Sequence, residues 1–209
     1  MRKSVFSLLL AVALTILCVG EAQPLWGASD SESFADLIVK SSGFSGGICV
    51  VIGDKDASLA LSIGRHGPFV VQTLYTDKST LNEARNAINS SDIYGKVSAD
   101  VFSPDHLPYV ENLIDILIAD NFPELMEKGL SIREVLRVLA PLGAAYLGGG
   151  DIADTAKSQW IEKVKANLAA EGIISPRIIE HQGVWIVVRQ PWPPDIDEWT
   201  HELHGPDGN

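Results

Sequence analysis

Five aspartates stand at or just beyond the ends of apolar, strand-like runs. Asp54 and Asp56 follow Ile48–Ile52, Asp77 follows Phe69–Tyr75, Asp100 lies in SADVF, and Asp120 closes LIDILIAD. A carboxylate in such a place accepts hydrogen bonds from a ligand's hydroxyls or amines, or takes a proton from a reacting group. Asp120 has Asn121 beside it, a polar pair able to activate or orient a substrate. Gly53 breaks the first apolar run, as a tight turn with close backbone approach to a ligand requires. A full glycine fingerprint would repeat Gly at alternate positions, but Lys55 and Ala57 occupy the next two. Each residue also has a plain structural role. Asp54, Asp56 and Lys55 can be solvated turn charges that cap the next helix, Asp77 an N-cap, and Asp100 a turn former. Cys49 sits inside an apolar run and reads as a buried, inert thiol. His106 in SPDHLPY either lines a substrate mouth or is simply solvated. His201 and His204, near Asp197 and Glu198, have the types of metal ligands but no third ligand at a fixed spacing, so no metal is expected.

The elements that must position these residues begin with strand, turn and helix. Ile48–Ile52 is apolar and β-branched, as a strand covered on both faces must be. Leu59, Leu61 and Ile63 then fall in a helix from about Asp56 to Arg65. Before them, Asp30–Ser42 is predicted helical, with Phe34, Leu37 and Ile38 on one stripe and Gly43 as the stop. Further strands are expected at Phe69–Tyr75, Lys96–Val101, Ile114–Ala119 and Ala144–Leu147. Helices are expected at Lys78–Asn89, Ser131–Leu139 and about Thr155–Ala170. Pro141-Leu142-Gly143 reads as a turn into the fifth strand. Arg177–His181 and Val184–Arg189 flank Gln182-Gly183 as a hairpin. Strands alternating with helices predict a doubly wound α/β sheet with right-handed crossovers, to which the hairpin adds one antiparallel strand.

Composition sets the frame. The chain has 209 residues, 16 basic and 27 acidic, for a net charge of −11. Arg2 and Lys3, the uncharged run Val5–Val19 and the small residues around Glu21 read as a secretory signal peptide over residues 1–22. Without Arg2, Lys3 and Glu21 the balance is 14 basic to 26 acidic. An acidic chain repels phosphates, so no nucleic-acid partner is expected. Residues 23–190 read as one domain, exported to the periplasm or the medium, with no membrane span once the leader is cut. Pro191, Pro193, Pro194 and Pro206 mark 191–209 as a linker-like tail.

Over roughly Ser31–Gln190 the chain resembles class I S-adenosylmethionine-dependent methyltransferases. The resemblance is carried by GGICVVIGDKDASLALSIGR, LNEARNAI, YGKVSADVFSPDHLPYVENLIDILIADNF and REVLRVLAPLGAAYLGG. It implies a Rossmann-like sheet of seven strands in the order 3-2-1-4-5-7-6, the last antiparallel, and S-adenosylmethionine as cofactor. Gly53 then matches the first family glycine, and Asp54 and Asp56 flank the turn. Tyr75 stands where the family's ribose carboxylate is expected, with a ring to stack on adenine or a hydroxyl to donate, and Asp77 is the nearest carboxylate. Asp100 is implied for the adenine amine and the Val101 amide for the ring. Asp120 and Asn121 fall where the family places its polar catalytic group. The tail QPWPPDIDEWTHELHGPDGN resembles the junction in exported bacterial proteins where such a domain precedes a pyrroloquinoline-quinone-type β-propeller. No propeller follows here, so the chain reads as a truncated or split relative.

The expected function is methyl transfer from S-adenosylmethionine to an acceptor that the residues do not identify. The alternative is a catalytically inactive, exported Rossmann-like interaction module with a protein partner. One family glycine of three, and export to a place where the cofactor is not expected to be abundant, favour that alternative. A nicotinamide dehydrogenase fits poorly: its glycine fingerprint and the acid ending its second strand are both missing.

Overall fold

A computed structural model describes residues 28–150 and 152–194. The proposed leader, the segment 195–209 and the His201–His204 pair lie outside the described residues. In chain order the elements are α1 (Ala28–Ser42), β1 (Gly47–Ile52), α2 (Ser58–Arg65), β2 (Phe69–Tyr75), α3 (Lys78–Asn89), β3 (Val97–Val101) and β4 (Ile114–Ala119). Then follow α4 (Phe122–Glu127), α5 (Ile132–Val138), β5 (Leu139–Gly148), α6 (Asp154–Ala170), β6 (Arg177–Glu180) and β7 (Val184–Arg189).

One seven-stranded sheet has the order β3-β2-β1-β4-β5-β7-β6. β1 pairs in parallel with β2 and β4, and β2 with β3. β7 runs antiparallel between β5 and β6. This is the sheet order that the family resemblance implies, with the antiparallel last strand that the closing hairpin predicts. Alternation along β1 divides the core. Val50 and Ile52 point to one face with Leu117, Phe122, Val135 and Val164. Cys49 and Val51 point to the other with Phe34, Ile63 and Leu81. Each helix layer therefore covers one face of the sheet, and the central strands are apolar on both sides. Asp115, polar near the start of β4, accepts a hydrogen bond from the Ile48 amide at 2.8 Å and ties the start of β4 to the start of β1. After β3 the chain returns to lay β4 beside β1. That reversal leaves a crevice at the carboxyl ends of β1 and β4.

Three details depart from the sequence expectation. β5 begins at Leu139, directly at the end of α5, rather than after a turn at 141–143. Pro141, Leu142 and Gly143 form an irregularity inside the strand: pairing passes from Ile114↔Leu139 to Ile116↔Ala144. Pro cannot donate to the ladder and Leu142 has φ +65, so the strand bulges there instead of stopping. The bulge is held by β7's end, through Leu142 N–H to the Gln190 carbonyl and Gln190 N–H to the Gly143 carbonyl. Second, α4 is a helix that the sequence reading does not include. Its signal is Pro123 in the first turn with Glu124 behind it. Third, β6, the first strand of the closing hairpin, stops at Glu180, leaving His181-Gln182-Gly183 as the connection.

Candidate functional site

The site is built where β1 and β4 end. The Asp120 amide donates to the Ile52 carbonyl at 2.8 Å, so the two strand ends touch. Gly53 sits against this contact with φ +93, and a Cβ there would lie 3.0 Å from the Asp120 carbonyl oxygen. Glycine is thus required by the fold itself, independently of any ligand. Above the junction opens a cavity of about 410 Å³, within the size range of small-molecule sites. Ile52, Leu74, Leu125 and Val184 give it apolar walls, and Tyr75, Phe102 and Trp185 give it aromatic ones. Its charged lining is Lys55, Asp77, Asp120, Glu124 and Lys128.

The far wall comes from the second half of the chain. Gly149 and Gly150 follow β5, and Gln182 and Gly183 turn between β6 and β7. Gly150 has φ +60, and a Cβ would approach the Asn121 Oδ1 to 2.6 Å. Asn121 is itself left-handed, φ +50, at the start of α4. Its Nδ2 donates to Glu124, whose other oxygen lies 2.6 Å from the Lys128 ammonium. The Asp120 Oδ1 accepts the Asn121 amide at 2.8 Å. Asp120 and Asn121 are therefore held side by side at the cavity by the backbone and by α4.

Of the residues implied by the family resemblance, Gly53, Tyr75, Asp77, Asp120 and Asn121 line the cavity. Asp54, Asp56, Asp100 and Val101 do not. The Asp54 side chain is buried and accepts the Ala60 amide at 2.8 Å and the Leu59 amide at 3.4 Å. Burial pushes its carboxyl up to about 7, against the pull of those two hydrogen bonds. Asp56 accepts the Ser58 amide at 3.1 Å. Both acids thus cap α2 rather than face a ligand. Asp100 accepts its neighbour Val101's amide at 2.9 Å and lies 3.5 Å from the Arg85 guanidinium, on the α3 side of the sheet edge. The Val101 amide is therefore already bonded.

The two residues at the end of β2 are more committed than their sequence suggests. The Tyr75 hydroxyl donates to the Asp54 carbonyl at 2.6 Å, and burial raises its pKa. Its hydroxyl is therefore committed to the backbone. Asp77 N-caps α3: its Oδ1 accepts from the Thr80 amide, the Thr80 hydroxyl and the Ser79 hydroxyl. The Ser79 bond is the main reason that its carboxyl sits at about 2. All three bonds fall on one oxygen.

The sequence reading has Lys55 only as a turn charge and leaves out Phe102, Glu124, Lys128, Gly149, Gly150, Gln182 and Trp185; all of these line the cavity. The Gly148-Gly149-Gly150 run carries a signal for close approach but reads equally as a strand terminator. His106 lies away from the cavity, its Nδ1 3.2 Å from the Glu134 carboxylate. Cys49 is fully buried, and burial raises its thiol pKa. Among the described residues no His, Cys, Asp and Glu group of three could hold a metal ion. No helix among the described residues is long and apolar enough to cross a membrane.

The sequence matches no protein-family model and no curated protein. The fold has many solved counterparts. A Methanococcus maripaludis protein named as an S-adenosyl-L-methionine-dependent methyltransferase aligns with TM-score 0.68 and 19% identity, over 82% of this chain and 90% of its own. A SAM-dependent methyltransferase from Aquifex aeolicus aligns with TM-score 0.61 and 16% identity, over 79% of this chain and 99% of its own. The [4+2]-cyclase SpnF aligns with TM-score 0.62 and 18% identity, over 78% of this chain and 81% of its own. The chain has the Rossmann-like fold of SAM-dependent methyltransferases. The cyclase shows that this fold also carries other chemistry.

Proposed function

We propose that this chain binds S-adenosylmethionine in the cavity at the carboxyl ends of β1 and β4 and belongs functionally with the methyltransferases. The observation that carries the reading is the place and lining of that cavity. It opens at the switch point of a sheet ordered β3-β2-β1-β4-β5-β7-β6, against Gly53. The residues present fit the cofactor by chemistry. Asp77 and Asp120 supply negative charge for a sulfonium and an ammonium, and the aromatic residues Tyr75 and Phe102 suit a purine. Gly183 has nothing nearer its missing Cβ than the Gly150 carbonyl oxygen at 4.0 Å, which keeps the far wall open for a ligand. A dinucleotide fits less well. Its pyrophosphate belongs on the helix N-terminus after β1, and there Asp54 and Asp56 already hold the amides.

When bound, the cofactor supplies an electrophilic methyl group. The chain's own part is to hold and orient. Asp77 offers its second oxygen to a ribose hydroxyl. Phe102 and Leu125 exclude water around the purine. Asp120, fixed by the Asn121 amide, orients an acceptor's nucleophile or takes its proton. We further propose that the chain is exported after removal of residues 1–22, which N-terminal sequencing of the secreted form checks.

Calorimetric titration of the full chain with S-adenosylmethionine and with S-adenosylhomocysteine tests the reading. Saturable one-site binding of either supports it. Heats of dilution alone at millimolar ligand would end it, and would leave the fold as a scaffold for protein contacts.

A further inference from the structure

We infer that Lys55 anchors a carboxylate on the ligand, so that the cavity selects a nucleoside bearing an amino-acid end; this rests on the S-adenosylmethionine reading. Lys55 is exposed, lines the cavity beside Gly53, and stands where a second glycine would bring the backbone to the ligand. Among the described residues its ammonium has neither a hydrogen bond nor an ion pair. The cavity's other lysine, Lys128, is held 2.6 Å from Glu124.

The alternative place for an anion is closed. A helix N-terminus binds anions through its first-turn amides. In α2 the Ser58 amide bonds Asp56, and the Leu59 and Ala60 amides bond Asp54. A carboxylate entering the cavity therefore meets one uncommitted cation among the described residues, and it is Lys55. The lining also carries the carboxylates of Asp77 and Asp120, on the wall formed by β2 and β4. The cavity is bipolar, and a zwitterionic amino-acid group matches it. Lysine is a point charge on a flexible stem, so it reaches the anion without the close backbone approach that glycine would permit.

Paired ligands test this. S-adenosylhomocysteine carries the amino-acid end and 5′-methylthioadenosine lacks it. Lys55→Met should weaken the first by about tenfold, the low end for a charge-assisted hydrogen bond at an exposed site. It should leave the second unchanged, and Lys55→Arg should restore the preference. Raising the salt concentration should erode the preference in the native chain but not in the Met variant. Lys55 is exposed, so neither substitution threatens the fold. If both ligands bind and Lys55→Met weakens neither, or weakens both alike, the anchor is refuted while the cofactor reading stands. If neither ligand binds any variant, both fall together.

Discussion

Asp54 shows how a residue with the right type in the right place can be turned away from a ligand. Its carboxyl is buried under α2 and titrates near 7 rather than at its ordinary 3.8. Below about pH 4 both folded and unfolded chains hold this proton. Between there and pH 7 the unfolded carboxyl ionises first, so stability falls as pH rises, and the loss is complete above the folded value. Asp54→Asn keeps an acceptor for one amide and removes the titration. It should raise stability at pH 8 by something on the order of 2–4 kcal/mol, with the gap closing by pH 4, as read by thermal melts across pH. Gly53→Ala should do the opposite at every pH. A left-handed φ and a 3.0 Å approach to the Asp120 carbonyl make it destabilising by about 1–3 kcal/mol, measurable by urea unfolding. Asp100→Ala should leave S-adenosylmethionine affinity unchanged, since its carboxylate serves Val101 and Arg85. A loss of tenfold or more would put Asp100 back in the site. Types and spacing made these carboxylates visible in the sequence. Their orientations depend on which amides lie within 3 Å after folding, and no spacing rule carries that.

At the scale of elements the sequence was legible wherever a period or a stop signal was strong. Phe69–Tyr75, Lys78–Asn89 and Ile114–Ala119 stand as read. The β5 bulge was not legible, because Pro-x-Gly signals a chain reversal locally, while Gln190, just past the end of β7, converts it into an irregularity. Leu142 sits there at φ +65 and half exposed, so Leu142→Gly relieves backbone strain at little cost in burial. The expected gain is about 0.5–1 kcal/mol by denaturant midpoint. The β3–β4 connection is organised differently, by a side-chain clamp. Glu134 accepts the Leu107 amide at 2.8 Å and two Arg137 nitrogens, and Arg137 donates to the Leu107 and Tyr109 carbonyls. The Arg137 guanidinium holds the Glu134 carboxyl below its ordinary range. Arg137→Ala leaves that carboxylate and two loop carbonyls without their partner. Hydrogen exchange at the Leu107 amide should then accelerate by about tenfold or more, while the β1 amides stay protected.

For the whole molecule, the sheet order sets where anything can bind, and the loops decide what. Alternating apolar runs and a closing hairpin mark a doubly wound sheet with one antiparallel strand, all of it local pattern, while the strand order is implied by the family resemblance. The cavity does not follow from local pattern, because its two walls come from opposite halves of the chain. Gly53, Lys55 and Tyr75 stand on one side, and Gly150, Gln182 and Trp185 on the other. A chain cut after Glu180 should keep the β1–β4 pairing but lose β7, the Val184 and Trp185 wall, and with them any ligand-induced rise in melting temperature. Retained stabilisation by S-adenosylhomocysteine in that truncated chain would move the site elsewhere.

That division has a consequence for the order in which the protein comes into being. Lys55 leaves the ribosome early, while Trp185 follows only after almost all the described chain has emerged. During synthesis there is no chamber for a ligand to template, and early strands must persist on their own packing. A chain threaded through a membrane as an extended polymer would likewise arrive empty, and would acquire any small molecule only from the compartment in which β7 finally docks.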